Sequence, residues 1–289
     1  MNSLLEDPTP VDVSIEAPAN NESKNDQETG TNVNSRSGEL LIKNQSFGFF
    51  PRIGLGLLRM AFRKMQVLAE AIGTFTLVFC ICAIISSMEL MKGQIGLMEY
   101  ATTAALTVVV LVYAIGAISG AHVNPAITIA YATVGPFPWS MVPFYLLAQL
   151  GGSVLATYAG KLVYGFKTDL LLTKPLHGRC TAAFSVEFIA TSILVFLAAA
   201  LTETPQSVQS LSGLVVGVSI GLGVLITGPI SGGSLNPARS LGPAIVSGDF
   251  SFLWIYIAAP IIGAIFGGIL YRLIRLEGWS YRPSPSSQN

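Results

Sequence analysis

Two nine-residue segments of this chain echo each other: ISGAHVNPA, ending at Ala126, and ISGGSLNPA, ending at Ala238. Each closes on the same triplet, Asn124-Pro125-Ala126 and Asn236-Pro237-Ala238. A second echo lies upstream of both, where EAIGTFTLVF from Glu70 pairs with EFIATSILVF from Glu187. Glu187 follows Glu70 by 117 positions and Asn236 follows Asn124 by 112, so one structural unit is used twice.

The solvent for that unit is lipid. Of the 289 residues 51% are hydrophobic and only 11% charged, with a mean hydropathy of +0.60. A bilayer core needs about 20 apolar residues per helix. Six stretches approach that length: 66–88, 98–118, 141–164, 181–201, 210–228 and 252–274. Two shorter apolar runs, 125–134 and 237–247, begin directly after the motif Asn residues and end at Gly135-Pro136 and Gly248-Asp249. They are too short to span and read as re-entrant half-helices, which survive at membrane depth only when buried in protein or lining a cavity. The expected fold is therefore all-α, with six transmembrane helices and two half-helices.

Each repeat, about 66–164 and 181–274, holds three spans and one half-helix. Three is odd, so the second copy lies inverted in the membrane. Inverted repeats place the binding or transit site at their interface near the midplane. The half-helices then dip from opposite faces and meet N-terminus to N-terminus. Asn is a strong helix N-cap and Pro suits the first helical position, so one Asn-Pro alone is a plain helix start. Two copies at matched positions on non-spanning segments mean more. Their facing positive dipole ends repel cations and protons, while each Asn amide can offer an N–H to a neutral solute.

Glu70 and Glu187 are acids inside spans, at equivalent repeat positions. An intramembrane carboxylate invites a proton-relay reading. The alternative is that each accepts hydrogen bonds from the irregular backbone entering a half-helix, and the symmetry favours this structural duty.

Eight of the sixteen acids lie in the first 40 residues, among Asn, Ser and Pro, so residues 1–61 are expected to be a disordered tail. No basic region followed by an apolar run opens the chain, so no cleaved signal peptide is expected. Arg52, Arg59, Arg63 and Lys64 precede the first span, and Arg272, Arg275 and Arg282 end or follow the last. The positive-inside tendency then puts both termini in the cytosol. Lys161, Lys167, Lys174 and Arg179 lie on the outer side in this arrangement and count against it. Cys80, Cys82 and Cys180 read as buried thiols, and His122 and His177 are too few for a metal set.

The paired motifs, the Glu at each repeat start and the segment GPISGGSLNPARSLGPA at 228–244 resemble the aquaporin, or major intrinsic protein, family. More narrowly the chain resembles the plant nodulin-26-like intrinsic proteins, over residues 62–278, leaving 279–289 as a second cytosolic tail. The resemblance implies a homotetramer in the lipid bilayer with one pore per subunit, in the plasma membrane. It implies passive diffusion without cofactor, metal, nucleic acid or enzymatic turnover. It also implies a four-residue selectivity ring, which the two motifs register at Ala104, Val224, Gly233 and Arg239.

Strict water channels of that family carry a large aromatic and a His at the first two ring positions. Here both are small and apolar, so the ring should be wide, with Arg239 as a fixed donor that repels cations. That suits glycerol, urea and undissociated boric, arsenous or silicic acid, and resembles the metalloid-permeable branches; water permeability is expected to be low. Where the family often has His before the first motif, this chain has Ala117. Tyr100 lies four residues before Ala104, one turn outward on the same helix face, where its ring either fills the room Ala104 leaves as a gate or sits at the lipid interface. Three other readings stand beside this one: an inverted-repeat secondary transporter, a mainly water and glycerol channel, and a non-conducting junction protein. Ser284, Ser286 and Ser287 are candidates for phosphorylation.

Overall fold

The computed structural model describes residues 51–201 and 210–275. Among these, six long helices are apolar enough to cross a membrane. They are α1 (Pro51–Leu90), α2 (Leu97–Ser119), α4 (Val142–Tyr164), α5 (Cys180–Leu201), α6 (Ser212–Ser231) and α8 (Leu253–Ile274). Between them lie two short helices, α3 (Pro125–Val134) and α7 (Pro237–Ser247), each starting on a motif proline.

The bounds agree with the apolar runs to within a few residues, except at the start. The α1 helix begins at Pro51, fifteen residues before the apolar run, so residues 51–61 are helical where a tail was expected. Pro51 suits a helix's first position, and the Arg and Lys that follow carry good helix propensity; they end the apolar stretch without ending the helix. The remaining tail residues and the C-terminal serines lie outside the described residues.

The two repeats pack alike. The α1 helix lies on α4 and α2, while α5 lies on α8 and α6, and α2 meets α6 across the repeat boundary. Close approach is written into the sequence as glycine. A Cβ on Gly152 of α4 would collide with the Ala71 carbonyl oxygen of α1, and one on Gly263 of α8 would collide with that of Phe188 on α5. Small residues at such crossings are the usual way membrane helices gain packing contacts where burial from water is not available. Large apolar side chains such as Leu106, Val110, Leu155 and Leu162 face outward instead, as a lipid-exposed surface requires.

Candidate functional site: the junction of two half-helices

Each half-helix is started by its own asparagine. Asn124, in extended conformation, accepts the Ala126 N–H on Oδ1 at 2.9 Å; Asn236 accepts Ala238 N–H at 2.9 Å and Arg239 N–H at 3.4 Å. The other end of each amide reaches across the molecule. Asn124 Nδ2 donates to the Leu235 carbonyl and Asn236 Nδ2 to the Val123 carbonyl, both at 2.8 Å. The two half-helices therefore meet at their N-termini, and each cap is tied to the opposite loop. An amide nitrogen carries two hydrogens, so one N–H per asparagine is engaged in this link and one remains for a passing molecule.

The receiving carbonyls belong to strained residues. Val123 and Leu235, each immediately before a motif Asn, have φ of +43° and +55°. A left-handed backbone is unfavourable for any side chain, and more so for β-branched Val. Such residues persist only when their surroundings over-determine them.

Here the over-determination comes from the two buried acids. Glu187 accepts the Ser231 hydroxyl (2.6 Å) and Ser234 N–H (2.9 Å) on one oxygen and Leu235 N–H (2.7 Å) on the other. Glu70 accepts the Ser119 hydroxyl (2.7 Å) and His122 N–H (2.9 Å) on one oxygen, and Val123 N–H (2.7 Å) and Gln149 Nε2 (2.8 Å) on the other. Each carboxylate thus satisfies backbone donors that lipid could not. Two tyrosines complete the pattern: Tyr145 donates to the Ser119 carbonyl at 2.9 Å and Tyr256 to the Ser231 carbonyl at 2.8 Å.

Outward from the asparagines, Tyr100, Ala104 and Val224 pack in one buried cluster with Leu235. Gly233, with φ +71°, lies against two of them: a Cβ there would be 3.3 Å from Tyr100 Cε1 and 3.5 Å from Val224 Cγ1. The Tyr100 hydroxyl donates to the Gly233 carbonyl at 2.8 Å and accepts from Arg239 Nη2 at 3.3 Å. Arg239 Nη1 donates to the Leu171 carbonyl at 2.8 Å, while its buried Nε has no partner among the described residues. Ala104 is 2%, Val224 3% and Arg239 3% exposed, so little water reaches this level.

The connection between α4 and α5 reaches over this site. Besides the Leu171 carbonyl on Arg239, the Thr173 hydroxyl donates to Ser240 Oγ at 2.9 Å, and Ser240 Oγ lies 2.6 Å from Ser234 Oγ. Lys174 pairs with Asp249 at 2.9 Å, so one of the four cations that argued against the orientation is neutralised locally. Hydrogen bonds from Ser251, followed by the Lys174 contact, hold the Asp249 carboxyl well below the usual carboxylate range.

The family model described as Major intrinsic protein matches residues 58–271, most of the chain. The chain belongs to this family. Its relatives include a probable aquaporin NIP7-1 of Arabidopsis thaliana, 53% identical over 264 residues and covering 90% of this chain and 92% of the relative. Aquaporin NIP1-1 of Zea mays is 41% identical over 210 residues, covering 73% and 74%. The fold matches a crystal structure of the aquaglyceroporin from Plasmodium falciparum, with a TM-score of 0.67, 22% identity, and coverage of 73% of this chain and 96% of that one.

This aquaporin of the plant nodulin-26-like group is thus an integral membrane channel for small solutes and not an enzyme, which sets aside the transporter reading. Tyr100 does not face lipid: it is 5% exposed and bonded at its hydroxyl. His122 has a packing position, its Nδ1 3.1 Å from Thr128 Oγ1 and its ring against Tyr131, Phe137 and Tyr145. Four contributors were not anticipated from the sequence. Tyr145 and Tyr256 repeat at an interval of 111, close to the motif interval, and were findable. Gln149 has no such echo, and the Leu171 carbonyl is a backbone group that no side-chain pattern announces.

Proposed function

We propose that this aquaporin passes small uncharged polyhydroxy solutes, boric acid and related metalloid acids foremost, with glycerol as a companion and with low water flux. One observation carries the reading: small Ala104 and Val224 pack in one buried cluster with Tyr100, Gly233 lies against Tyr100 and Val224, and Arg239 bonds to the same Tyr100 hydroxyl. A ring of that kind leaves room for a trigonal or tetrahedral hydroxy acid once Tyr100 swings aside. Arg239 Nε and Nη2 then offer donors in place of the solute's lost water. Tyr100 acts as the gate. Its ring lies against Gly233, its hydroxyl is held from both sides, and the low exposure of the ring residues fits a closed position.

Ions are refused deeper in, at Asn124-Pro125-Ala126 and Asn236-Pro237-Ala238. Both half-helix N-termini point at one place, and their combined partial charge repels cations and protons. Glu70 and Glu187 act structurally in this scheme and relay no protons. The working unit is a homotetramer with one pore per subunit, and both termini are cytosolic at the plasma membrane. Arg63, Lys64 and Arg272 at one end of the bundle support that orientation.

Stopped-flow flux of water, glycerol and boric acid into proteoliposomes from one preparation tests the proposal. Boric acid and glycerol flux above empty liposomes, without saturation and with little water flux, is the expected result. High water flux with no boric acid flux would sink the substrate choice, and assign a mainly water-conducting channel.

A further inference from the structure

At the end of the bundle where α1 enters the bilayer, α1 and α4 flank a groove of about 510 Å³. Its walls are apolar, with Leu68 and Ala71 from α1 facing Phe144 and Ala148 from α4. Arg63 and Lys64 stand at its upper rim, both exposed. The α1 and α4 helices run the same way here, so the rim and the level of Ala71 and Ala148 are separated by about two helical turns, roughly 10 Å. Leu68 is 54% and Phe144 55% exposed, so the groove opens sideways, toward the surrounding hydrocarbon. Trp139, 58% exposed at the start of the same span, marks the interfacial level.

We infer that this groove is a binding site for an anionic phospholipid of the leaflet on the α1 N-terminal side. The headgroup phosphate sits on Arg63 and Lys64, and one acyl chain descends between Leu68, Ala71, Phe144 and Ala148. Charge decides the occupant. Among the described residues the two cations have no carboxylate partner. Of the described acids, Glu70 and Glu187 are buried at the half-helix loops, and Glu89, Glu99, Asp169 and Asp249 belong to the opposite end of the bundle. Glu89 is 26 residues along α1 from Arg63, about 39 Å at helical rise. A second copy oriented the same way in the membrane brings no described carboxylate to this level, whereas an anionic headgroup brings one negative charge at the depth required. Basic residues at a membrane surface attract such lipids in proportion to their number.

Native mass spectrometry of the detergent-purified full chain, incubated with equal amounts of dioleoyl phosphatidylserine and dioleoyl phosphatidylcholine, tests this. Phosphatidylserine adducts should dominate. Arg63→Gln with Lys64→Gln should abolish the preference, lowering phosphatidylserine retention by about tenfold. Ala148→Phe, which fills the groove while leaving the rim charges, should reduce adducts of both lipids. Equal retention of the two lipids by the unaltered chain overturns the proposal even if a variant fails to fold, and so does a double variant that still prefers phosphatidylserine. A change in chains per assembly with adduct numbers unaltered would assign the groove to a second copy, and likewise overturn it. Solute flux enters none of these readouts, so the lipid site stands or falls apart from the choice of solute.

Discussion

Tyr100 donates to the Gly233 carbonyl oxygen at 2.8 Å across 133 positions of sequence, and the same hydroxyl accepts from Arg239 at 3.3 Å. One side chain thus bridges α2 to the loop before α7 and to the cation beside it. Glycine suits position 233, since its φ of +71° and the 3.3 Å gap to Tyr100 both penalise a Cβ.

The hydroxyl and the ring of Tyr100 have separable effects. Tyr100→Phe keeps the ring and removes both hydrogen bonds, each with a net value of about 1 kcal/mol. Boric acid flux in proteoliposomes should rise by roughly fivefold, the equivalent of one such bond, as the ring loosens. Flux unchanged from wild type would mean that the two bonds do not hold the gate.

Asn236 Nδ2 holds the Val123 carbonyl, and its Oδ1 caps α7. Asn236→Asp keeps the cap, removes the N–H donor and places a carboxylate where two helix N-termini face each other. Ion exclusion should fail first: sodium or proton conductance in voltage-clamped membranes should appear, while neutral solute flux persists. A variant as ion-tight as wild type would place the barrier elsewhere.

Glu187 serves three donors, two of them backbone N–H groups with no water to replace it. In Glu187→Gln the amide NH2 faces at least one of these donors, at a cost of about 1–3 kcal/mol. Thermal unfolding in detergent should shift down by several degrees, and Glu70→Gln should behave alike, since it also serves two backbone donors. A proton-relay role would instead leave the melting temperature in place and alter the pH dependence of flux.

Much of this was legible in the residues. The repeat, the six spans and the half-helix starts were written in apolar run length and in Asn-Pro, because both signals are local. Glu70 and Glu187 were legible through symmetry, but their partners were not: the acceptor relation to Val123 and Leu235 spans 53 and 48 positions and depends on a left-handed backbone. Tyr100 was ambiguous because helix spacing fixes a face and not a neighbour. The start of α1 was misplaced because charge ends a hydrophobic run without ending a helix.

The Lys174–Asp249 pair predicts an absence of pH response. The folded Asp249 pKa is depressed below the unfolded value near 3.8, so the stabilisation is present above that value and is lost only as pH falls through the lower folded one. The connection between α4 and α5 should therefore stay anchored from about pH 7 to about pH 5, with solute flux unchanged on its account. Asp249→Asn, being at an exposed pair, should shift the melting temperature little. A steep loss of flux over that range that Asp249→Asn abolishes would contradict this.

The most direct test of the central claim is boric acid flux through the wild-type chain and Tyr100→Ala, measured by stopped flow in matched proteoliposomes. With the ring and both its hydrogen bonds gone, the small lining of Ala104, Val224 and Gly233 is uncovered opposite Arg239. Boric acid flux should be higher by about tenfold or more, a barrier change of about 1.4 kcal/mol, with no cation leak. Boric acid flux no higher in Tyr100→Ala than in wild type would contradict it.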